Sequence, residues 1–123
     1  MDIYGYDYDG VISIGISPSN WKDVIITGRC MDDNIEKRKK ELLERDIFNT
    51  VYYKPMLLKD CPSHTVESRI SSGKHKVNTI LELRKQDINI VRFFEDDELQ
   101  KEIIKMEIPE LEVISVISNI VRK

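Results

Sequence analysis

Two pairs of aspartates mark the places where this chain could do chemistry. Asp7 and Asp9 stand two residues apart in Tyr6-Asp7-Tyr8-Asp9-Gly10-Val11, and Asp96 and Asp97 follow the apolar Phe93-Phe94 through Glu95. Carboxylates gathered at one place repel each other at neutral pH, and a divalent cation relieves the repulsion. An all-oxygen ligand set of this kind suits Mg²⁺. Magnesium keeps only one or two carboxylates and fills its shell with phosphate oxygens, so the ligand set implies a phosphorylated substrate. A threonine hydroxyl such as that of Thr27, with backbone amides at a strand-to-helix junction, can hold phosphate oxygens. A lysine near a helix start would add positive charge against a transferring phosphoryl group. In a pair spaced like Asp7 and Asp9, one carboxylate can attack while its neighbour handles the proton.

These residues need elements that bring them together. Residues 2–7 are aromatic and β-branched and stop at an Asp-x-Asp-Gly turn, which predicts a strand. Residues 23–27 make a short apolar run, as in a strand covered on both faces. A helix follows, capped by Asp32 or Asp33, with Ile35, Leu42 and Leu43 on one face and the charges of residues 36–41 on the solvated side. Residues 50–53 read as a third strand, and residues 54–73 as irregular connection rich in proline and serine. A second helix starts at about residues 74–76 and carries Val77, Ile80, Leu81 and Arg84 on one face. Residues 89–94 form a fourth strand, residues 98–106 a third helix with Leu99, Ile103 and Ile104 inward, and residues 111–117 a last strand. Alternation of this kind predicts an α/β, three-layer Rossmann-like fold: a parallel sheet of about five strands flanked by helices. Ligands of such sheets bind beyond the carboxyl ends of the strands, which is where Asp7, Asp9, Thr27, Asp96 and Asp97 fall.

The four segments, in this order, resemble the motifs of the haloacid dehalogenase-like superfamily. Tyr6-Asp7-Tyr8-Asp9-Gly10-Val11 is similar to its first motif and Val24-Ile25-Ile26-Thr27-Gly28-Arg29 to its second. The stretch around Lys74-His75-Lys76-Val77-Asn78 is similar to the third, and Phe93-Phe94-Glu95-Asp96-Asp97 to the fourth. The resemblance covers residues 6–97 and implies a Mg²⁺-dependent phosphohydrolase. Asp7 would be the nucleophile, forming an aspartyl-phosphate, and a metal ligand. Asp9 would serve as general acid and then base, with its carbonyl on the metal. Thr27 would bind the phosphoryl group with the amide of Gly28, and Asp96 and Asp97 would hold or support the metal. Lys76 matches the motif lysine better than Lys74, which is the alternative. An acid at Asp9 is similar to the phosphatase branches rather than to dehalogenases.

The family often inserts a cap domain, and this chain has no room for one. Residues 10–22 suffice for a turn and a short hairpin at 11–16, and residues 54–73 are too few for a folded cap. An open site of this kind suits a large or polymeric phosphorylated substrate, whether nucleotide, nucleic-acid end, sugar phosphate or phosphoprotein. A second subunit or a partner protein could serve as lid.

Length and composition set the outer bounds. The chain has 123 residues, 33% of them charged, and a net charge of −3. That allows one domain, 1–123, and argues against a binder of nucleic acid by bulk charge. The four aspartates account for the deficit, since without them acids and bases nearly balance. No apolar run approaches a membrane span, and the N-terminus carries no secretory signal, so a cytoplasmic location is expected. Cys30 and Cys61 lack zinc-site spacing and are expected as reduced, buried thiols. Tyr4, Tyr6 and Tyr8 fit core packing better than a base-stacking platform. Trp21 reads as a core or flap anchor, His64 and His75 as surface residues, and Arg29 as a substrate contact or the partner of a local acid.

Two other functions compete. One is a phosphate- or metal-binding module of the same fold that is catalytically silent and serves as regulator or scaffold. The other, a phospho-accepting receiver domain, fails because its acceptor should end the third strand, and Val51-Tyr52-Tyr53-Lys54 has no acid.

Overall fold

The computed structural model describes residues 1–61 and 65–117. Five strands form one all-parallel sheet: β1 (Asp2–Tyr6), β2 (Val24–Cys30), β3 (Val51–Lys54), β4 (Asn89–Glu95) and β5 (Glu112–Ser115). Their order is β3-β2-β1-β4-β5, so the first strand is central and the crossover to β4 places its carboxyl end beside that of β1. Three helices, α1 (Ile35–Glu44), α2 (Val66–Lys85) and α3 (Glu98–Glu107), cover the two faces. The fold is α/β, with the Rossmann-like three-layer arrangement that the alternation of elements predicts.

Strand periodicity divides the core in two. Ile3, Val24, Ile26, Ile90 and Phe93 point to the side of α2 and α3, where they meet Val77, Ile80, Leu83 and Ile104. Tyr6 and Ile25 point the other way and pack with Tyr8, Val11, Ile12, Leu42 and Ile47. Successive side chains of a strand alternate faces, so adjacent Val24, Ile25 and Ile26 all find apolar cover. The tyrosines serve packing: Tyr6 stacks on Phe94 with centroids 4.7 Å apart, and the Tyr8 hydroxyl donates to Glu41 Oε2 at 2.8 Å. Buried Asp23 fixes the approach to β2, because its carboxylate accepts from the Tyr4 amide (3.0 Å), the Asn20 amide (3.2 Å) and the Ser19 hydroxyl (3.2 Å).

Several local expectations are corrected. Helix α2 begins at Val66, not at 74–76, because Thr65 caps it by accepting from the Ser68 amide at 3.1 Å. Gly73, which looks like a breaker, lies within the helix, where a Cβ would meet Ile103 Cδ1 of α3 at 3.1 Å. Helix α1 is capped by neither Asp32 nor Asp33. Its N-cap is Asn34 with φ of 50°, while Asp32 accepts from the Leu58 amide and Asp33 takes Arg29. Arg38 leaves the solvated side and is buried, donating to the Asp33 carbonyl, whereas Leu43 is exposed. A 3₁₀ turn, Ile12–Ile14, stands where a hairpin was expected. Trp21 is 80% exposed rather than in the core, with the Lys22 ammonium 5.2 Å from its ring centroid. His64 lies outside the described residues, and the last strand, expected over 111–117, is the shorter Glu112–Ser115. No helix among the described residues is long and apolar enough to cross a membrane.

The contact between β1 and β4 is close at Gly5, where a Cβ would lie 2.7 Å from Phe93 Cδ1. Phe93 is fully buried, so its ring has little room to yield. Gly5→Ala is expected to destabilise the protein by about 1–3 kcal/mol through overpacking, read as a lower urea midpoint at unchanged m-value.

Candidate active site

The carboxyl ends of β1 and β4 bring together the acids that lie far apart in the chain. Asp7 follows β1 directly, and its amide donates to the Phe94 carbonyl at 3.0 Å, which ties the turn to β4. One carboxylate oxygen, Oδ1, accepts from the Tyr8 amide at 2.8 Å. Lys76 comes up from the middle of α2, fully buried, and places Nζ 3.1 Å from Asp7 Oδ1 and 2.5 Å from Glu95 Oε1. Gln100 of α3 supplies a third acceptor, Oε1 at 2.7 Å, so the three ammonium protons all have partners.

Glu95 is the residue that the sequence reading missed. It ends β4 two positions after Phe93, so period two turns it toward α2 and α3, and it is 1% exposed. A strand that ends on a charged residue at the inward phase was the available signal. The other Glu95 oxygen accepts from the amides of Asp96 (3.1 Å) and Asp97 (3.3 Å), which starts the turn into α3.

The remaining candidates take different places. Asp96 lies beside Asp7 and Glu95, and one carboxylate oxygen from each of the three lies within 4.8 Å of the others. Gly10 makes room for it: with φ of 83°, a Cβ there would fall 2.0 Å from Asp96 Oδ2. Asp97 points elsewhere. It caps α3 through the Leu99 amide (3.3 Å), accepts from Gln100 Nε2 (2.8 Å) and takes Arg69 in a bidentate pair at 2.5 and 3.1 Å. The carboxylate expected on the metal thus joins α2 to α3.

Asp9 is also held by an arginine. Arg29 gives Nε and Nη2 to its two oxygens at 2.8 and 2.9 Å, while Nη1 reaches Asp33 at 3.1 Å. Between Ile26 and Cys30 the ladder from β2 to β3 is broken, and the Arg29 amide turns to Thr27 Oγ1 at 3.1 Å. Thr27 is fully buried at this irregularity, and Gly28 lies under Ser72 of α2, whose Oγ would be 2.5 Å from a Cβ there. Lys76, not Lys74, joins the acids. Lys74 is exposed and lines a separate groove of about 960 Å³ between β3 and α2, together with Tyr52, Met56 and His75. Burial pushes the His75 imidazole down to about 4, and its ring faces the Tyr52 carbonyl rather than the acids.

A cavity of about 140 Å³ opens over these groups, walled by Asp7, Asp9, Arg29, Arg69, Ser72 and Lys76. Its electrostatics follow from the count of charges. Burial, with the nearby Glu95 charge, holds the Asp7 carboxyl well above the usual carboxylate range, and Lys76 offsets this only in part. One ammonium cannot neutralise three buried or half-buried acids. Asp9 behaves oppositely: burial works to raise it, but the hydrogen bonds and charge of Arg29 hold it below the usual range. The donor set of Asp7, Asp96 and Glu95 is all carboxylate oxygen, which fits a hard divalent cation. Glu95 is committed to Lys76 and two amides, so Asp7 and Asp96 are the residues fitted to hold one.

The folded state binds the Asp7 proton more tightly than the unfolded chain does. The stability it confers is therefore present in acid and is lost as pH rises through the folded-state value. Asp7→Asn, which has no proton to bind there, is expected to flatten the fall of the metal-free protein's unfolding midpoint between about pH 4 and about pH 7, read by circular dichroism. Comparison of the chain with models of known protein families, with curated proteins and with solved structures finds no match.

Proposed function

We propose that the protein is a Mg²⁺-dependent phosphohydrolase that works through Asp7. The observation that carries this reading is the Lys76 ammonium set between Asp7 and Glu95 beneath a small polar cavity. The resemblance of the four motifs to haloacid dehalogenase-like phosphatases supports it as well. Asp7 and Asp96 would hold Mg²⁺ with the Asp9 carbonyl, and the ion would supply charge neutralisation for the phosphoryl oxygens.

The chain's own residues have the following parts. Lys76 holds the Asp7 carboxylate in one orientation through Oδ1, which leaves Oδ2 to attack phosphorus. Its charge also offsets that of the incoming phosphoryl group. Attack forms an Asp7 acyl phosphate and releases the alcohol, which takes a proton from Asp9. Asp9, again a carboxylate, then takes a proton from the water that hydrolyses the acyl phosphate. Arg29 positions Asp9 through both oxygens and would have to release one when Asp9 carries its proton. Ser72 and the backbone at Gly28 face the phosphoryl group from α2 and β2. The cavity is small, so it admits the phosphoryl end while the rest of the substrate lies outside.

A second reading has one observation in its favour. With Asp9 locked to Arg29 and Lys76 locked to Glu95, the charged groups satisfy each other without substrate, as in a silent module that only binds metal or phosphate.

Turnover of an aryl phosphate in Mg²⁺, its loss in EDTA, and a loss of about a thousandfold or more in Asp7→Asn are the expected results. The same Mg²⁺ should raise the unfolding midpoint of the wild type but not of Asp7→Asn. A midpoint that rises with Mg²⁺ in a protein without turnover would establish the silent module. Turnover that survives in Asp7→Asn would overturn the mechanism.

A further inference from the structure

Beside the acids, β2 and β3 end on a second group of reactive side chains that the proposed reaction does not use. Cys30 is the last residue of β2 and is paired in register with Lys54, the last residue of β3. Cys61 follows the 3₁₀ turn Leu58–Asp60 and returns to the same place. Both cysteines are buried free thiols, 2% and 7% exposed, and both contribute to the wall of the 140 Å³ cavity.

Lys54 is the unusual member. It is 3% exposed, and among the described residues its Nζ donates to Cys61 Sγ and to the Ser68 carbonyl, each at 3.3 Å. Among the described residues no carboxylate lies within salt-bridge distance of it. A buried ammonium is costly unless negative charge can develop beside it. The atom in contact with it that can carry that charge is the sulfur of Cys61. Lys76, one helical turn away from Ser72 on the other side of the cavity, has two carboxylates for the same purpose.

We infer that Cys61 and Cys30 form an oxidation site, in which Cys61 reacts with a peroxide and Cys30 closes a disulfide onto it. The Lys54 ammonium stabilises the negative charge that develops on Cys61 as it attacks. The Cys61 sulfur bonds to one peroxide oxygen, the O–O bond breaks, and the departing hydroxide takes the thiol proton and leaves as water. Cys61 is then a sulfenic acid. The Cys30 sulfur attacks the Cys61 sulfur, the S–O bond breaks, and hydroxide leaves with the Cys30 proton as a second water. Two thiols lose two electrons and one peroxide is reduced to two waters. Cys30 suits the second role, since burial and the neighbouring Cys61 push its thiol up to about 11 and keep it protonated until its partner is oxidised. The cavity has several times the roughly 30 Å³ that one water occupies, which is room for hydrogen peroxide.

This inference stands independently of the phosphohydrolase reading, and its test uses no substrate. The full chain is treated with hydrogen peroxide near equimolar dose, and the products are read by intact mass and by peptide mapping with dimedone and iodoacetamide. The expected product is about 2 Da lighter, joined between Cys30 and Cys61 and restored by dithiothreitol. Cys30→Ser should accumulate a dimedone adduct at Cys61, and Cys61→Ser should give none at Cys30. Lys54→Met should slow the first step by roughly tenfold or more, and Lys54→Arg, which keeps the charge, should slow it less. Independent oxidation of the two thiols, a sulfenic acid formed first on Cys30, or thiols that react only in urea would each overturn the proposal. If Lys54→Met fails to fold by circular dichroism, the order of attack in the two serine variants still decides.

Discussion

The ion pairs of Lys76 are the constraint on which the rest of the site depends. A buried ammonium between Asp7 and Glu95, completed by Gln100, ties the ends of β1 and β4 to the middle of α2 and the first turn of α3. Removing such a charge from water costs several kcal/mol, and only the full set of partners offsets it. Glu95 extends the network by taking the amides of Asp96 and Asp97, and Asp97 returns it to α2 through Arg69. Four elements therefore share one electrostatic knot, and none can shift without exposing a charge to apolar surroundings.

Environment separates acids of the same type. Asp9 and Asp97 each face an arginine in bidentate geometry, which fixes both their orientation and their charge. Asp7 and Asp96 share the side of the cluster that could hold a divalent ion. Four aspartates drawn from two short motifs thus divide into two structural clamps and two ligand candidates. Residue type alone does not distinguish these roles. The arginines opposite them do.

The alternation of apolar runs was enough to read the parallel sheet, because each strand of it is covered on both faces and appears as a short continuous stretch. The spacing of Lys76 from Ile80 and Leu83 favoured it over Lys74 without deciding between them; the two part in the fold, where Lys76 lies on the buried face of α2 and Lys74 on the exposed one. What escaped the reading depends on contacts between distant segments. Gly73 belongs to a helix because Ile103 presses against it, and Asp97 turns from the cluster of Asp7, Glu95 and Asp96 because Arg69 lies within reach. Glu95 was overlooked because a carboxylate in a strand ordinarily faces water, and only the ammonium opposite it reverses that preference. Trp21 failed for the converse reason: a large apolar side chain has no obligation to be covered when its neighbours form a tight turn.

The strand order carries a consequence for how the protein comes into being. With β1 in the centre and β4 as its neighbour, Asp7 and Glu95 meet only after the chain has been made through residue 95. Until β4 arrives, β1 is an open sheet edge, and Lys76 has only one of its two carboxylates. Closing so long a loop is slow on the scale of local helix formation, since the entropy is lost before the contact is gained. The charged knot therefore forms after β1, β2, β3 and α2 have been made, and a nascent chain halted before β4 would carry every element of the left half of the sheet and no site.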